Sequence, residues 1–478
     1  MAERMLKFVA VPQHAPDKRA VDERRADFSE IYRDFDPAAA SVQSSRCSQC
    51  GVPFCQVHCP LQNNIPDWLK LTAEGRLEEA YEVSSATNTF PEICGRICPQ
   101  DRLCEGNCVI EKGFESVTIG AVERFITDTA FERGWVRPSR PRRELGLSVG
   151  IIGAGPAGLA AAEWLRRTGY DVHVYDRYDR VGGLMIYGIP GFKLEKQIVL
   201  RRWRLLEEAG IEFHLGVEIG RDAAMDELRA RHSAVLIATG VYKPRDISAP
   251  GVGLGNIVPA LSYLTVSNRQ GLGDDVPDFD SGALNAAGKN VVVVGGGDTA
   301  MDCVRTAVRQ GAKSVKCLYR RDRANMPGSM REVKNAEEEG VEFVWLSAPE
   351  AFLGDETVTG VRAARMRLGL PDASGRQSVE PLEGAHFTLP ADLVIKALGF
   401  DPENLPHAFG APSLGVTRWG TLKVDHRTFM TSLPGVFAAG DIVRGASLVV
   451  WGIRDGRDAA AAMHTYMQQT ASLAVAAE

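Results

Sequence analysis

The sequence predicts an α/β protein in which two parallel-sheet units follow an α-helical region rich in cysteine. An apolar strand, a glycine turn and an apolar helix occur in that order at 147–176 and again at 289–321. This order is typical of the start of a parallel sheet that is covered on both faces. Eight of the ten cysteines lie between residues 47 and 108, in a region with little strand pattern.

Length and composition indicate a globular protein of several domains. The chain has 478 residues, of which 45% are hydrophobic and 24% charged, and about 100–200 residues per domain suggests about three domains. The net charge of −6 and the lack of a basic block argue against nucleic acid as a partner. We find no signal peptide and no long apolar run, so we expect no membrane partner and a cytoplasmic location, where thiols stay reduced.

Residues 1–145 form the first predicted domain, which we expect to be helical. The stretch 65–88 predicts two short helices broken at Gly75, and 118–135 predicts another helix. Residues 137–145 contain two prolines and several arginines, a composition typical of a solvated linker.

The first glycine turn reads Gly153-x-Gly155-x-x-Gly158 between an apolar strand and an apolar helix. The first glycine permits a tight turn, the second lets the backbone approach a pyrophosphate, and the third lets helix and strand pack closely. The helix N-terminus offers free N–H groups and a positive dipole to the phosphates. Asp176 ends the next strand, where a carboxylate accepts hydrogen bonds from an adenosine ribose. We therefore predict a dinucleotide site, with a glycine-rich packing turn as the alternative; the site also includes Ala154, Pro156, Ala157 and Arg177.

The second glycine turn reads Gly295-x-Gly297-x-x-Ala300, again between a strand and a helix, and contains Asp298 and Thr299. At the end of the following strand, Arg320 and Arg321 stand where an acid would bind a ribose hydroxyl. Guanidinium groups bind a 2′-phosphate bidentately, so this site should prefer NADPH over NADH. The alternative is a solvated basic turn, against which the position at the strand end argues.

Two nucleotide sites of opposite preference in one chain suggest a flavin in the first and a nicotinamide in the second. Fragments at 180–190, 235–240 and 435–443 agree with this arrangement. The residues that they contribute are Gly183, Leu184, Thr239, Gly240, Gly440 and Asp441. Together these fragments resemble the flavoproteins with two dinucleotide-binding domains. That resemblance implies that Gly440 and Asp441 contact the ribityl and phosphate portion of the flavin.

The flavin has no disulfide to reduce within this chain. The stretch directly after Gly182-Gly183 contains no cysteine, and Cys303 and Cys317 are solitary and lie 14 residues apart. We expect both of these cysteines to be buried small hydrophobic residues. The electrons of the flavin must therefore leave by another route.

The remaining cysteines form two groups with short spacings. The first reads Cys47-x2-Cys50-x4-Cys55-x3-Cys59-Pro60, and the second reads Cys94-x3-Cys98-x5-Cys104-x3-Cys108. Four close cysteines that end in Cys-Pro are similar to a bacterial ferredoxin run, and eight thiolates match two cubane 4Fe–4S clusters. Some of these spacings also permit zinc, and disulfides are a third alternative. A flavin favours clusters, because clusters accept electrons one at a time whereas zinc has no redox chemistry.

Five long stretches carry a more specific resemblance. They are CSQCGVPFCQVHCPLQNNIPDW, NTFPEICGRICPQDRLCEGNC, GLMIYGIPGFKL, GGGDTAMDCVRTAVRQGA and VVWGIRDGRDAA. They resemble the small (beta) subunits of NADPH-dependent glutamate synthases, the N-terminal part of dihydropyrimidine dehydrogenase and the large subunit of ferredoxin–NADP transhydrogenases. The resemblance implies a subunit that oxidises NADPH at FAD and passes electrons through 4Fe–4S clusters to a large (alpha) subunit. There FMN would reduce 2-iminoglutarate, formed from 2-oxoglutarate and glutamine-derived ammonia, to L-glutamate.

The same relatives imply a crossed ligation of two clusters. One cluster would be held by Cys47, Cys50, Cys55 and Cys108. The other would be held by Cys59, Cys98, Cys104 and Glu123, which leaves Cys94 free. Counting thiols alone makes Cys94 the last ligand instead, so both alternatives stay open.

We thus predict an α-helical iron–sulfur domain (1–145), a discontinuous Rossmann-like FAD domain (146–250 and 400–478) and a Rossmann-like NADPH domain (251–399). We assign no catalytic acid–base residue, because hydride transfer depends on the alignment of nicotinamide and isoalloxazine. The sequence shows no amino-terminal cysteine for glutamine hydrolysis and no barrel-length segment for FMN, so alone it should be an NADPH dehydrogenase. The alternatives are a transhydrogenase or pyrimidine reductase subunit and, from another class, a zinc-stabilised docking subunit.

Overall fold

The computed structural model describes residues 3–372 and 377–477. Its first part is helical, and the first strand of the described residues begins at Ser148. The helices are α1 (Val21–Ala26), α2 (Pro37–Ser44), α3 (Phe54–His58), α4 (Ile65–Ala73), α5 (Leu77–Thr87), α6 (Pro91–Ile97), α7 (Glu111–Phe114) and α8 (Ile119–Glu132). The predicted break at Gly75 is confirmed, because α4 ends at Ala73 and α5 begins at Leu77. The φ angle of Gly75 is 79°, a left-handed conformation that favours glycine.

The rest of the chain alternates strands and helices. Up to residue 259 these are β1 (Ser148–Ile152), α9 (Pro156–Thr168), β2 (Asp171–Asp176), α10 (Leu184–Tyr187), α11 (Lys196–Glu208), β3 (Glu212–Leu215), α12 (Met225–Arg231), β4 (Ala234–Ile237), β5 (Lys243–Pro244) and β6 (Ile257–Pro259). There follow α13 (Ala260–Gly271), α14 (Pro277–Asp280), β7 (Asn290–Val294), α15 (Asp298–Arg309), β8 (Ser314–Leu318), α16 (Met330–Glu338), β9 (Glu342–Val344), β10 (Ser347–Gly354), β11 (Val358–Pro371), β12 (Gln377–Pro390), β13 (Leu393–Lys396), β14 (Phe400–Asp401), α17 (Leu405–Ala408), β15 (Val436–Ala438), α18 (Asp441–Arg444) and α19 (Val449–Ala477).

The first sheet is parallel and has the strand order β15-β4-β1-β2-β3. Its central strand β1 is apolar, and Val149 and Ile151 are fully buried against α9 and α19. Helix α19 crosses the start of α9 so closely that a Cβ atom at Gly456 would lie 2.0 Å from the carbonyl oxygen of Ala157. The last helix therefore closes the sheet beside the first glycine turn.

The second sheet is also parallel, with the order β6-β13-β7-β8-β9. One face packs on α13, α15 and α16. The other face is covered by an antiparallel sheet of β10, β11 and β12, through contacts such as Val292 and Val294 with Phe352 and Val361. We did not predict this antiparallel sheet, because its long strands carry charged residues and lack a strong apolar alternation. The chain passes between the two parallel sheets twice, and the short strands at these two places, β5 and β14, pair antiparallel with each other.

Buried ion pairs join the helical region to both sheets. Arg202 on α11 donates two hydrogen bonds to Glu92 on α6, at 2.7 and 2.9 Å. On the other side, Arg24 on α1 lies 3.0 Å from Glu338 and 3.6 Å from Glu339, next to the second sheet. Breaking such a buried pair leaves an uncompensated charge, so losing either contact would be costly.

The predicted fold class is confirmed, with two parallel-sheet units after an α-helical region. The first sheet draws its strands from 148–237 and 436–438, and the second from 257–396. The exact domain boundaries stay a prediction. Among the described residues, we find no helix with the length and apolar character needed to cross a lipid bilayer.

Candidate functional site

The first glycine turn connects β1 to α9 with a backbone that only glycine tolerates. Gly153 has φ of 111°, and a Cβ atom there would lie 2.4 Å from the carbonyl oxygen of Ala238. At Gly158 a Cβ atom would lie 1.9 Å from the carbonyl oxygen of Gly153, so this glycine lets the helix pack on the turn. A Cβ atom at Gly155 would meet nothing within 4 Å. Gly155 therefore faces open space, which fits the close approach of a pyrophosphate.

Asp176 secures this turn from the end of β2. Its carboxylate accepts hydrogen bonds from the backbone N–H groups of Ala154 at 2.6 Å and Tyr178 at 2.8 Å. Burial raises the pKa of Asp176, although these two donors oppose the shift. The side chain next to it, Arg177, donates to both carboxylate oxygens of Glu403 at 3.0 and 3.1 Å.

Two adjoining cavities form one cleft along the turn. The first is lined by predicted residues that include Gly153, Gly155, Pro156, Ala157, Asp176, Leu184, Thr239, Gly240, Gly440 and Asp441. The second extends past Asp176 to Arg177, Val217, Glu218 and Glu403. Both cavities share Gly153, Asp176, Thr239 and Tyr242. Most of the residues predicted for the flavin therefore lie along one continuous cleft, and Gly183 borders it because a Cβ atom there would lie 3.0 Å from the Gly155 Cα.

The polar groups in this cleft fit a flavin dinucleotide. The Thr239 hydroxyl is buried and has no hydrogen-bond partner within the described part of the chain. Burial raises the pKa of Asp441 to about 7, and a backbone N–H of Ser447 opposes the shift. Buried polar groups normally have partners, so a ligand rich in hydroxyl and phosphate groups would satisfy them.

Sequence reasoning missed several residues that line this cleft. They are Met185, Val217, Glu218, Tyr242, Glu403, Ser447 and Gly452. Tyr242 lies two residues after the predicted Gly240 and shares its cavity, so the strand-end pattern at 235–240 could have pointed to it. Met185 on α10 and Gly452 on α19 lie inside two of the quoted stretches, GLMIYGIPGFKL and VVWGIRDGRDAA, whereas the remaining residues carry no motif.

The second glycine turn repeats the backbone of the first between β7 and α15. Gly295 has φ of 145°, and a Cβ atom there would lie 2.2 Å from the carbonyl oxygen of Ala397. A Cβ atom at Gly297 would meet nothing within 4 Å, and Ala300 is fully buried behind it. Thr299 is half-buried on the first turn of α15. The Asp298 carboxylate accepts a hydrogen bond from the Ser329 backbone at 2.9 Å, which ties α15 to the loop before α16.

The basic residues after β8 differ in how they are engaged. Arg320 is exposed and makes no hydrogen bond or ion pair with any residue that the structure describes. Arg321 donates through Nε to the Gln377 carbonyl at 3.1 Å. Arg323 pairs with Glu337 at 2.6 Å. Of these arginines, Arg320 is the one whose whole guanidinium is available to an anion.

The cysteines form two clusters of thiols inside the helical region. Burial raises the pKa of Cys55, and the thiols of Cys108, Cys47 and Cys50 raise it further. These four side chains therefore lie within electrostatic reach of one another. A separate cavity is lined by Cys59, Cys94, Cys98, Cys104 and Glu123. This partition places Cys108 with the first three cysteines and Cys59 with the second group.

Asn88 links the two candidates for the last ligand. Its amide nitrogen donates to Glu123 at 3.0 Å, and its amide oxygen accepts from the Cys94 thiol at 3.7 Å. Burial raises the pKa of Glu123 to about 8. Both candidates thus border the same cavity, and the choice between them stays open.

The described thiols are not gathered in a set of three around one point. Thiolates about 2.3 Å from one tetrahedral zinc ion lie about 3.8 Å from each other. Within 3–372 and 377–477, no three ligand atoms from cysteines lie within 4.8 Å of one another. A cubane cluster separates its thiolates because each binds a different iron atom. We therefore expect clusters at these thiols, as the sequence predicts. Cys303 and Cys317 are fully buried elsewhere, as predicted.

Two protein families match the two halves of this arrangement. Residues 24–135 match the family described as dihydropyrimidine dehydrogenase domain II, 4Fe–4S cluster. Residues 147–465 match the family described as pyridine nucleotide-disulphide oxidoreductase. A solved structure, Mycobacterium tuberculosis FprA in complex with NADPH, has a TM-score of 0.58 at 19% identity and covers 70% of this chain and 86% of its own. That likeness concerns the fold.

Curated relatives are similar over the whole chain. The glutamate synthase (NADPH) small chain of Azospirillum brasilense is 70% identical over 479 residues, which cover 100% of this chain and 99% of the relative. The small chain of Escherichia coli strain K12 is 45% identical, covering 98% of this chain and 100% of the relative. These matches support the predicted cofactors FAD, NADPH and 4Fe–4S clusters. The chain therefore belongs to the family of glutamate synthase (NADPH) small chains, which are NADPH-dependent oxidoreductases.

Proposed function

We propose that this chain is the electron-input subunit of a glutamate synthase. In this role it oxidises NADPH at FAD and passes the electrons through two 4Fe–4S clusters to a large subunit that contains FMN. That subunit makes L-glutamate from 2-oxoglutarate and L-glutamine. The names of the relatives, which are small chains, support a larger partner.

One observation carries this proposal: the flavin cleft and a cysteine cavity lie on two sides of the same helical turn. Val449 and Gly452, at the start of α19, line the flavin cleft. Val450, between them, lines the cavity that contains Cys59 and Cys98. Electrons that leave the flavin therefore have a short path to this thiol group through the first turn of α19.

The thiol group of Cys47, Cys50, Cys55 and Cys108 continues this path toward the surface. Burial raises the pKa of Cys104, and the Cys55 thiol of the other group adds to the shift, so the two groups are neighbours. Four apolar side chains that neighbour these cysteines along the chain are exposed to solvent: Val52, Phe54, Val57 and Val109. An apolar patch of this kind marks an interaction surface. We assign it to the large subunit, where close contact would bring the acceptor near the cluster.

In this scheme the residues of the two nucleotide sites bind and orient the flavin and NADPH. The turn from Gly153 to Gly158 and the N-terminus of α9 would hold the flavin pyrophosphate, and Asp176 the adenosine ribose. Thr239, Gly440 and Asp441 would contact the ribityl and phosphate portion. Arg320 and Arg321 would bind the 2′-phosphate of NADPH. Bound there, the flavin would accept hydride from NADPH and release single electrons.

Reconstitution tests the proposal. The chain, purified anaerobically with FAD and clusters, is combined with its native large subunit and supplied with NADPH, 2-oxoglutarate and L-glutamine. We expect L-glutamate to form at a rate that depends on both subunits. NADPH oxidation by an artificial acceptor without any glutamate in the complex would contradict the assignment and favour a transhydrogenase or pyrimidine reductase.

Two variants test the last cluster ligand. Cys94→Ala and Glu123→Gln are compared by iron and acid-labile sulfide content. The variant that loses about half of both has lost a ligand, whereas the other should retain wild-type content. Zinc in place of iron in the wild-type protein would revive the zinc-stabilised docking alternative.

A cytoplasmic location remains a prediction.

A docking variant tests the apolar patch. Val52→Asp places a charge on this surface, and we expect it to weaken binding of the large subunit at least tenfold, about 1.4 kcal/mol. Val416→Asp is the matched control, because Val416 is also exposed but lies far along the chain on the flavin side. Equal affinity of both variants would place the docking surface elsewhere.

A further inference from the structure

Two histidines and a glutamate meet at the outer edge of the first sheet, away from both nucleotide turns. His173 lies on β2, and Glu212 and His214 lie on the neighbouring edge strand β3. We propose that these three side chains form a site for a divalent transition-metal ion such as Zn²⁺, which none of the cofactors described above occupies.

The distances between the ligand atoms match a tetrahedral ion. His173 Nδ1 lies 3.1 Å from His214 Nε2 and 3.3 Å from Glu212 Oε2. His214 Nε2 lies 4.0 Å from the same carboxylate oxygen. Nitrogen and oxygen ligands about 2.0–2.1 Å from a tetrahedral zinc ion lie about 3.3–3.4 Å from each other. Two of the three distances agree within about 0.3 Å, and the exposed Glu212 can close the third by a rotamer change.

This group is distinctive in the chain. Within the described residues, it is the one set of three histidine, cysteine or carboxylate ligands whose atoms all lie within 4.8 Å of one another. No set of three cysteines in the described residues meets this distance criterion. Two imidazoles with one carboxylate are a ligand set that zinc uses in proteins, with a fourth position left for water. Glu212 has 62% of its side chain exposed, so solvent reaches that position.

A second carboxylate orients the central imidazole. Asp171 Oδ2 lies 3.1 Å from His173 Nε2, on the far side of the ring from His214. A metal-binding histidine commonly donates its other ring N–H to a carboxylate, which fixes the tautomer. If Nε2 carries the proton toward Asp171, the lone pair of Nδ1 is directed at the proposed ion. Two adjacent strands thus supply the three proposed ligands and the Asp171 carboxylate that orients His173.

The nearby His232 is not part of the ligand set. Its Nε2 lies 3.0 Å from the Tyr175 hydroxyl, and its other nitrogen hydrogen-bonds the Ser148 hydroxyl. His232 packs over Gly150, where a Cβ atom would lie 2.6 Å from its ring. It therefore supports the His173 ring from behind. Without a metal, the 3.1 Å contact between His173 Nδ1 and His214 Nε2 would instead be an N–H···N hydrogen bond, and the experiment has to separate these two states.

Zinc titration of the intact protein separates them. The cluster-loaded, flavin-loaded complex is treated anaerobically with a chelator, dialysed against Zn²⁺ and analysed for zinc, iron and flavin. Two variants, Glu212→Gln and His214→Asn, remove one ligand each at exposed or half-exposed positions, so the fold should survive. The matched control is His386→Asn, because His386 also pairs with a carboxylate, Glu350 at 3.1 Å, but has no second imidazole in its set.

We expect one zinc ion per chain in the wild-type protein and in His386→Asn, with affinity reduced at least about tenfold in both ligand variants. X-ray absorption at the zinc edge should show nitrogen and oxygen neighbours without sulfur. Equal zinc affinity in all four proteins, no bound zinc in the wild type, or zinc with sulfur neighbours would each overturn the site. Iron and flavin contents at wild-type level show that a loss of zinc does not reflect unfolding.

Discussion

The two glycine turns share one backbone but present opposite chemistry to a nucleotide. In both, a Cβ atom on the first glycine would lie 2.2–2.4 Å from a carbonyl of a neighbouring strand, and the second glycine faces open space. They differ after the next strand, where Asp176 is buried and holds two backbone N–H groups, whereas Arg320 is exposed and unengaged. We therefore expect the backbone to decide whether a pyrophosphate fits and the side chain at the end of the next strand to decide which ribose fits.

The two glycine turns also differ in the element that covers each of them. The first turn is covered by α19, whose Gly456 touches Ala157, and the cysteine cavity lies behind this helix. The second turn is covered by the loop before α16, where a Cβ atom at Gly328 would lie 3.1 Å from the Gly296 carbonyl oxygen. A long helix packed on the turn suits a cofactor that stays bound, whereas a loop cover suits a nucleotide that exchanges.

Gly158→Ala should have the largest effect. Its Cβ atom would lie 1.9 Å from a backbone carbonyl that cannot move without opening the turn, so we expect the chain to lose FAD. The corresponding position of the second turn already carries a methyl group, and Ala300→Gly should cost only about 1 kcal/mol of helix stability. Flavin absorbance of the purified proteins measures the difference. Normal flavin content in Gly158→Ala would show that the helix is not held tightly on the turn.

Asp176→Ala should weaken FAD binding by about 10–100-fold. The substitution removes the ribose acceptor and leaves two backbone N–H groups without their partner, at about 1–3 kcal/mol. Fluorescence titration of FAD into the flavin-free protein measures the affinity. Glu342→Gln, an exposed acid after the second sheet's β8, is the control and should not change it. A loss below threefold would mean that Asp176 supports the backbone and not the nucleotide.

Arg320→Gln should raise the KM for NADPH about 10-fold and leave the KM for NADH unchanged. The guanidinium has no protein partner in the described chain, so its charge-assisted bonds to a phosphate are worth about 1.5–3 kcal/mol. Arg323→Gln is the control, because that arginine is paired with Glu337. Steady-state oxidation of both nucleotides with an artificial acceptor gives the comparison. Equal losses for NADPH and NADH would refute the role of Arg320.

Asp441→Asn should have the smallest effect, visible in the flavin-free protein as a pH dependence. Burial raises the pKa of Asp441 from 3.8 to about 7, so the folded state binds the proton more tightly than the unfolded state. The free energy of unfolding is then highest below about pH 4 and falls as the pH rises from about 4 through about 7. The variant should lose this component, so its Tm should exceed that of the wild type at pH 8 and match it at pH 4. Parallel curves for both proteins would contradict the shift.

Local patterns predicted much of the fold and of the nucleotide sites. The positive φ and close contacts of Gly153 and Gly295 follow from a strand and a helix that must meet within a few residues, and only glycine satisfies them. The break at Gly75 and the burial of Cys303 and Cys317 are similar cases. By contrast, the β10–β12 sheet was not predicted. Its strands carry apolar side chains mainly where they pack on Val292 and Val294, so the sequence shows no regular apolar alternation.

The sequence by itself determined which chemical groups are present and which backbone turns can hold a dinucleotide, because short-range sterics and residue type suffice for both. Only the tertiary structure decided which of these groups meet. It set Val450 between the flavin cleft and the Cys59 cavity, brought Cys94 and Glu123 to one Asn88, and placed His173 beside His214. Such meetings depend on the packing of segments far apart along the chain, which no local pattern encodes.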